Sequence, residues 1–157
     1  MTPSARGWFR AVALACFILV LDQATKQIAV AEFGDGDASI GLGFRLVEVR
    51  NDGVAFGLFG GGEAIVIVVT MAALALVAGY FALDPARPWL WVGIGLLTGG
   101  ALGNLADRLR EGSVIDFFDP PAWPTFNVAD VAIVAGIATI VLLQIRADEP
   151  TEHDAGA

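Results

Sequence analysis

An uncharged apolar stretch from residue 64 to 83 is the feature that most restricts how this chain folds. About twenty apolar residues in a helix are enough to cross the hydrocarbon core of a bilayer. A second uncharged stretch, rich in small residues that allow close helix packing, covers 88–106. A third stretch, 127–145, carries a single charge, Asp130, near its start. These stretches predict helices in a membrane rather than a soluble core.

The composition agrees with a membrane protein, because only 17% of the 157 residues are charged and 56% are hydrophobic. A soluble domain carries about 25% charged residues. The region from about Trp8 to Ala31 is also apolar, although Asp22 and Lys26 interrupt it. We therefore predict a mainly α-helical membrane domain at 1–146 with four transmembrane helices. The acidic end, 147–157, is predicted to be a disordered cytoplasmic tail.

The first apolar region has a competing interpretation, a cleaved signal peptide. Arg6 and Arg10 precede it, and Ala13-Leu14-Ala15-Cys16 resembles a lipoprotein cleavage box. However, only five residues separate Arg10 from Cys16, whereas a signal peptide needs an apolar region of about 7–15 residues. The apolar run also continues to Leu21, so we favour a membrane span.

Residues 32–63, between the first and second spans, contain two β-prone runs, 44–49 and 54–59. Asp52-Gly53 lies between the runs, and this pair is a strong hairpin signal. We predict a small extracytoplasmic β-hairpin or sheet at about 40–60. The second run is too apolar for an ordinary exposed loop, so we expect it to lie on the membrane and to contact lipid or substrate.

The polar residues in and beside the spans all fall on one membrane face when the chain is followed through four crossings. They are Asp22, Lys26, Asn104, Asp107, Arg108, Asp116, Asn127 and Asp130. Charged groups near a bilayer are costly and usually mark function. Asp22 and Lys26 are four residues apart on one helical face, so an ion pair between them is the simpler explanation for those two. It does not explain the acids on the other elements.

The orientation of the chain follows from its arginines. Each face has four, since Arg6, Arg10, Arg87 and Arg146 oppose Arg45, Arg50, Arg108 and Arg110. The charges beside the first helix usually dominate. We therefore place both termini in the cytoplasm and the polar cluster at the outer face.

Several kinds of chemistry lack the residues that they need. Cys16 lies in mid-span without a base nearby, His153 is the only histidine and lies in the tail, and a Ser113–Lys26 pair has no specific support. No His/Cys cluster offers zinc ligands, so we predict no metal and no cofactor. No basic surface suggests a nucleic-acid partner.

Carboxylates remain as candidates for hydrolysis. Asp116 lies inside the apolar run 114–118, in the predicted loop between the third and fourth spans, and Asp130 lies at the start of the fourth span. Two close carboxyls share a proton, so one can activate a water while the other donates to the scissile carbonyl. Taken alone, Asp130 is better explained as a helix N-terminal acid that complements the helix dipole. Asp119 is interpreted as an exposed turn acid before two prolines.

Four blocks of the sequence resemble the type II, or lipoprotein, signal peptidase family in order and spacing. The blocks are Leu21-Asp22-Gln23-Ala24-Thr25-Lys26, Asn51-Asp52-Gly53-Val54-Ala55-Phe56, residues 99–108 followed by 112–117, and Phe126-Asn127-Val128-Ala129-Asp130. Val54 stands where this family usually has a small alanine. The resemblance covers nearly the whole chain except the acidic tail.

This resemblance implies an aspartyl protease of the bacterial inner membrane. Its substrates would be prolipoproteins whose cysteine carries a diacylglyceryl group, cleaved just before that cysteine, and its other partner would be membrane lipid. Asp116 and Asp130 match the catalytic pair. The matching substrate-binding or supporting positions are Asp22, Asn51, Gly53, Phe56, Asn104, Arg108 and Asn127, with Lys26 and Asp107 as structural ion-pair members.

Two other classes of protein could carry such polar residues in their membrane helices. A small ion- or proton-conducting protein would use intramembrane Asp and Asn, but its pathway should place polar groups at several depths. A non-catalytic membrane scaffold would leave the paired carboxylates without a purpose.

Overall fold

The computed structural model describes residues 1–33, 36–52 and 62–148. Within these ranges the chain is mainly helical, with a small antiparallel sheet, as the sequence predicted. The helices are α1 (Pro3–Phe33), α2 (Gly62–Leu83), α3 (Leu90–Glu111) and α4 (Val128–Asp148). The strands are β1 (Ala38–Gly41), β2 (Phe44–Asn51) and β3 (Val114–Asp119).

Three of the described helices are long and apolar enough to cross a membrane by length and composition: α1, α2 and residues Val128–Ala147 of α4. The remaining helix, α3, has 22 residues. Its glycines and its polar end, which includes Asn104 and Asp107, lower its mean hydropathy. The structure thus supports three candidate spans rather than the four that the sequence predicted.

Helix α3 is central in the bundle, because it packs against α1, α2 and α4. Buried glycines make this close packing possible. A Cβ added at Gly99 would lie 2.7 Å from the Ala15 carbonyl oxygen, and one at Gly100 would lie 2.4 Å from that of Ala129. The backbones of α1 and α4 therefore touch α3 directly, which brings the polar residues of the three helices together.

The Gly100 contact leads to a stability prediction. We expect Gly100→Ala to destabilise the fold by about 1–3 kcal/mol, because the new methyl group overlaps backbone that cannot move freely. Gly79→Ala on α2 is the matched control, since its added Cβ meets nothing within 4 Å. That control should be neutral or stabilising by up to about 1 kcal/mol. Thermal unfolding in detergent measures both, and equal midpoints would contradict the packing argument.

The surface of the bundle is apolar, as expected of helices that face lipid. Large exposed side chains include Phe9, Phe17, Val68, Leu76 and Val134. The buried apolar side chains form a smaller cluster, in which Phe81 and Leu90 pack with Ala11 and Ile94. Large apolar side chains thus lie mainly on the surface, the reverse of their distribution in a soluble domain.

The three strands pair in the order β1-β2-β3, all antiparallel. The β1–β2 turn is formed by Leu42 and Gly43, with φ of 55° and 82°. Positive φ at both central residues suits a tight hairpin turn. The predicted turn at Asp52-Gly53 and the apolar run 54–59 lie at or outside the edge of the described residues.

Strand β3 corrects one part of the sequence interpretation, which placed Asp116 in a loop. Asp116 is in β3 and lies opposite Val49 of β2. Asp119 is also not an exposed turn acid. It ends β3, and its Oδ2 accepts a hydrogen bond of 2.9 Å from Nε of Arg45. The run 114–119 becomes a strand because β2 satisfies its backbone hydrogen bonds.

Candidate active site

A buried ion cluster joins α1 to α3. Nζ of Lys26 lies 2.8 Å from Asp22 Oδ2 and 2.7 Å from Asp107 Oδ2. All three side chains are at most 2% exposed. The predicted Asp22–Lys26 pair is therefore present, and Asp107 shares the same ammonium. Asp22 also accepts a 2.9 Å hydrogen bond from the Ala129 backbone N–H, which ties the cluster to α4.

A chain of hydrogen bonds leads from this cluster to Asp130. Lys26 donates its third hydrogen bond to Asn104 Oδ1 at 2.9 Å. Asn104 Nδ2 in turn donates to Asp130 Oδ1 at 2.8 Å. Because the ammonium has three donors and all are engaged, Lys26 is not available as a base for Ser113. The serine–lysine alternative therefore has no support in the structure.

Asn127, just before α4, touches both candidate carboxylates. Its Nδ2 donates to Asp116 Oδ1 at 2.7 Å. Its backbone N–H donates to Asp130 Oδ2 at 3.3 Å, and Asp130 N–H donates back to Asn127 Oδ1 at 2.9 Å. This reciprocal pattern is a capping box, so Asp130 does stabilise the start of α4. Its other oxygen points instead to Asn104, in the polar cluster.

Asp116 is held from two sides and is 1% exposed. Its Oδ1 accepts from Asn127, and its Oδ2 accepts a 3.0 Å hydrogen bond from Nδ2 of Asn51 on β2. The strand pairing of β2 with β3 positions Asn51, and the start of α4 positions Asn127. Asp116 and Asp130 thus converge on the same asparagine although they come from different elements.

Burial raises the pKa of the Asp116 carboxyl to about 6, because desolvation disfavours its charged form. Hydrogen bonds from Asn51 and Asn127 favour the charged form and lower that pKa, whereas the nearby charge of Asp130 raises it. A carboxyl in this range exchanges protons close to neutral pH, which suits an acid or a base in hydrolysis.

For a hydrolase that works through Asp116, this pKa predicts a limb near pH 6 in the pH profile of kcat/KM. Asn51→Ala removes a hydrogen bond that lowers the pKa of Asp116, so we expect the limb to move to higher pH. The direction is the same whether Asp116 acts as acid or base. Asp52→Asn, at the next and exposed residue, is the control and should leave the limb in place. An unmoved limb in Asn51→Ala would contradict the link to Asp116.

The remaining predicted residues are less closely placed. Among the described residues, Arg108 makes one side-chain hydrogen bond, at 3.5 Å to the Asn104 carbonyl oxygen. Together with Asn104 it borders a cavity of about 310 Å³ between α2, α3 and α4. Gly53 and Phe56 lie outside the described residues.

Within the described part of the chain, no group of three His, Cys, Asp or Glu side chains is arranged to hold a metal ion.

Gln23 is a member of the cluster that the sequence reasoning did not select. Its Nε2 donates to Asp107 Oδ1 at 2.8 Å and to the Gly103 carbonyl oxygen at 3.2 Å. Its Oε1 accepts from Arg110. The available signal was an amide inside the apolar first span, next to Asp22.

Comparison with known proteins identifies the family. The profile of Peptidase_A8, described as Signal peptidase (SPase) II, matches residues 14–146. This chain belongs to the signal peptidase II family. The match ends at Arg146, so it excludes the acidic tail.

Curated members of this family are similar over most of their length. A lipoprotein signal peptidase of Pelotomaculum thermopropionicum is 45% identical over 76% of this chain and 80% of its own. The lipoprotein signal peptidase of Moorella thermoacetica is 43% identical over 79% of this chain and 85% of its own. That of Streptomyces coelicolor is 40% identical over 88% of this chain and 71% of its own. Membership of this family favours the protease over the ion-conducting and scaffold alternatives.

Two solved structures share the fold of this chain and are also related to it in sequence. Both are described as a bacterial membrane enzyme, one determined at 2.3 Å resolution and the other at 1.9 Å. Each has a TM-score of 0.78, with 29% and 30% sequence identity. They cover 90% of this chain and 92% and 94% of their own. These findings support a bacterial membrane protein of the signal peptidase II family.

Proposed function

We propose that this protein is a membrane-embedded aspartic endopeptidase that removes signal peptides from diacylglyceryl-modified prolipoproteins. It cleaves just before the lipidated cysteine, and Asp116 and Asp130 activate the attacking water. The substrate class is supported by the relatives named lipoprotein signal peptidase. The mechanism is supported by one observation above all, that Asn127 hydrogen-bonds both carboxylates.

In this mechanism the aspartate pair holds one proton between two carboxyls. The ionised carboxylate takes a proton from water, whose oxygen attacks the scissile carbonyl carbon. The protonated partner donates to the carbonyl oxygen, so a neutral gem-diol forms. This intermediate collapses as the carbon–nitrogen bond breaks and a proton moves to the leaving amine of the cysteine. No covalent enzyme intermediate is required.

The surrounding side chains have supporting roles in this proposal. Asn51, Asn104 and Asn127 are amides that orient the carboxylates while leaving them further acceptor capacity for water. Lys26, with Asp22 and Asp107, holds α1, α3 and the start of α4 together beside the aspartate pair. Arg108, Gly53 and Phe56 are proposed to contact the substrate.

We further propose four transmembrane helices in one domain at 1–146, with α3 as the additional span. Asp22 and Lys26 lie toward the end of α1, Asn104 lies toward the end of α3, and Asp130 opens α4. The site is thus at the outer face of the inner membrane and both termini are cytoplasmic. At that depth a diacylglyceryl chain stays in lipid while the peptide bond meets water. The acidic tail, 147–157, remains in the cytoplasm.

A reporter fused after Arg146 tests this orientation. We expect activity from a reporter that works only in the cytoplasm, because Arg6 and Arg10 keep the N-terminus inside and four spans return the chain to the same side. Activity from a periplasmic reporter at this position would contradict the orientation.

Incubation of the purified protein with a lipidated precursor tests the function. The expected product begins with the lipidated cysteine, as mass spectrometry would show, and the matched unlipidated precursor should remain intact. Activity should persist in a chelator, since we predict no metal. Cleavage elsewhere in the precursor, or equal cleavage without the lipid, would contradict the proposed specificity.

A further inference from the structure

A basic cavity lies at the end of the bundle opposite the aspartates. It has a volume of about 620 Å³ and is lined by the first turns of α1, the α2–α3 loop and the start of α3. Arg6, Arg10 and Arg87 contribute its charge, and Trp89 and Trp91 contribute aromatic rings. Asp22 follows Arg10 by twelve helical residues, about 18 Å of helix, so this cavity is separate from the candidate active site.

The lining of this cavity carries positive charge without an acidic side chain among its described residues. The ion pairs of the described residues do not include Arg6 or Arg10. Arg87 donates to two neutral acceptors on α4, the Leu143 carbonyl oxygen at 2.6 Å and Gln144 Oε1 at 2.7 Å. Three guanidinium groups therefore border one cavity without a counter-ion among its lining residues.

Local dipoles add to this positive potential. Neither α1 nor α3 has an acidic residue in its first turn, and the N-cap of α3, Trp89, makes no side-chain capping hydrogen bond. The N-terminal end of a helix carries partial positive charge and favours anions. The Arg10 guanidinium carbon lies 5.7 Å from the centre of the Trp91 ring, a cation–π contact that limits how the side chain moves.

Apolar surface continues from the cavity toward the middle of the membrane. Leu14, Phe17 and Leu21 follow Arg10 at i+4, i+7 and i+11, so they share its helical face. Phe17 is 61% exposed and Leu21 is 39% exposed. Exposed tryptophan and arginine at the helix ends suit a phospholipid headgroup, and the apolar face that follows them suits its acyl chains.

We propose that this cavity binds the phosphodiester headgroup of an anionic membrane phospholipid. Arg6 and Arg10 contact the phosphate oxygens, and the acyl chains lie along Leu14 and Phe17. Guanidinium groups suit this ligand because their donors can form paired hydrogen bonds with phosphate oxygens. The assignment to the cytoplasmic leaflet depends on the proposed orientation, whereas the headgroup chemistry does not.

Native mass spectrometry of the full-length protein in detergent, titrated with phosphatidylglycerol, tests the proposal. We expect one tightly retained lipid, with phosphatidylcholine of the same chains retained far less. Arg6→Gln with Arg10→Gln should weaken retention on the order of thirtyfold, since each arginine near an anionic lipid contributes about a fivefold effect. Arg146→Gln is the matched control, because it removes a charge at the same end of the bundle from a residue that does not line the cavity.

Further arms separate the competing occupants. Soluble glycerol phosphate should not displace the lipid, and displacement at comparable concentration would indicate a site for a free phosphate instead. A chain ending at Asp148 should bind the lipid as the full-length protein does. Binding that appears only after this truncation would show that the acidic tail fills the cavity, and would overturn the proposal.

The arginines have a simpler possible role, to orient the first helix. Equal lipid retention by the wild type and the double variant would support that role alone and overturn the lipid site. If the double variant does not fold, Arg6→Glu provides a second test, because a single exposed charge reversal should also abolish selectivity for the anionic lipid. Cleavage of the lipidated precursor by these variants is measured separately, so failure of the lipid site is distinguishable from failure of the proposed peptidase function.

Discussion

Asp116→Asn is expected to reduce kcat/KM by about 10³- to 10⁴-fold, or below detection, because an amide can neither take a proton from water nor donate one as an acid. Asp130→Asn should do the same, since a pair that shares one proton fails when either member cannot ionise. The assay is cleavage of a lipidated precursor by purified protein at matched expression.

Asp119→Asn is the matched control for this experiment. Asp119 is an acid on the same strand, three residues further on, and it pairs with Arg45 at the exposed end of the sheet. Its loss should change kcat/KM by less than about threefold, since partly exposed ion pairs contribute little. Thermal unfolding distinguishes lost chemistry from lost structure. Substantial activity in either Asp116→Asn or Asp130→Asn, with a folded protein, would refute the catalytic pair.

Lys26→Met is expected to have the largest effect on stability, about 3–5 kcal/mol. The substitution removes the ammonium between Asp22 and Asp107, which are 0% and 2% exposed. Asp22 then loses its cation, and Asp107 keeps only the 3.5 Å contact with Arg110 among the described ion pairs. Asn104 also loses its hydrogen bond from Lys26, so the support for Asp130 weakens as well. The measurement is the thermal unfolding midpoint in detergent.

Two variants make this prediction specific to the buried charge. Arg50→Gln removes a half-exposed cation that pairs with Glu48 and Glu111, and should cost less than about 1 kcal/mol. Combining Lys26→Met with Asp22→Asn and Asp107→Asn should recover part of the loss, because no unpaired charge then remains buried. If Lys26→Met unfolds within 1 kcal/mol of the wild type, the cluster does not hold the helices as argued.

The hydrophobic pattern was sufficient to predict the helices, because an uncharged run of about twenty residues has few stable conformations other than a membrane helix. The clustering of the polar residues was also predicted, since it follows from the order of the apolar runs and the positions of polar residues along them. For the same reason the ion pair of Asp22 with Lys26 was foreseen from its i, i+4 spacing. Helix α3 is the exception among the predicted spans, because its glycines allow close helix packing but contribute little to its hydropathy.

Tertiary structure decided how the site is assembled. The pairing of β2 with β3 places Val49 opposite Asp116, which is 67 residues further along the chain, and no local pattern encodes such a partner. The same holds for Asn127, because the sequence does not show that its side-chain amide bonds the Asp116 carboxylate while its backbone N–H bonds that of Asp130. Gln23 likewise acquires its partners only when α3 packs against α1.

The helices and the set of polar residues that cluster between them were thus determined by the sequence alone. Their mutual geometry was not, because it depends on which backbones approach closely and which strands share hydrogen bonds. Gly99 and Gly100 set that approach, by letting α1 and α4 pack directly on α3. Burial then changes the chemistry itself, since an exposed aspartate has its ordinary pKa, and only enclosure in the fold raises that of Asp116 to about 6.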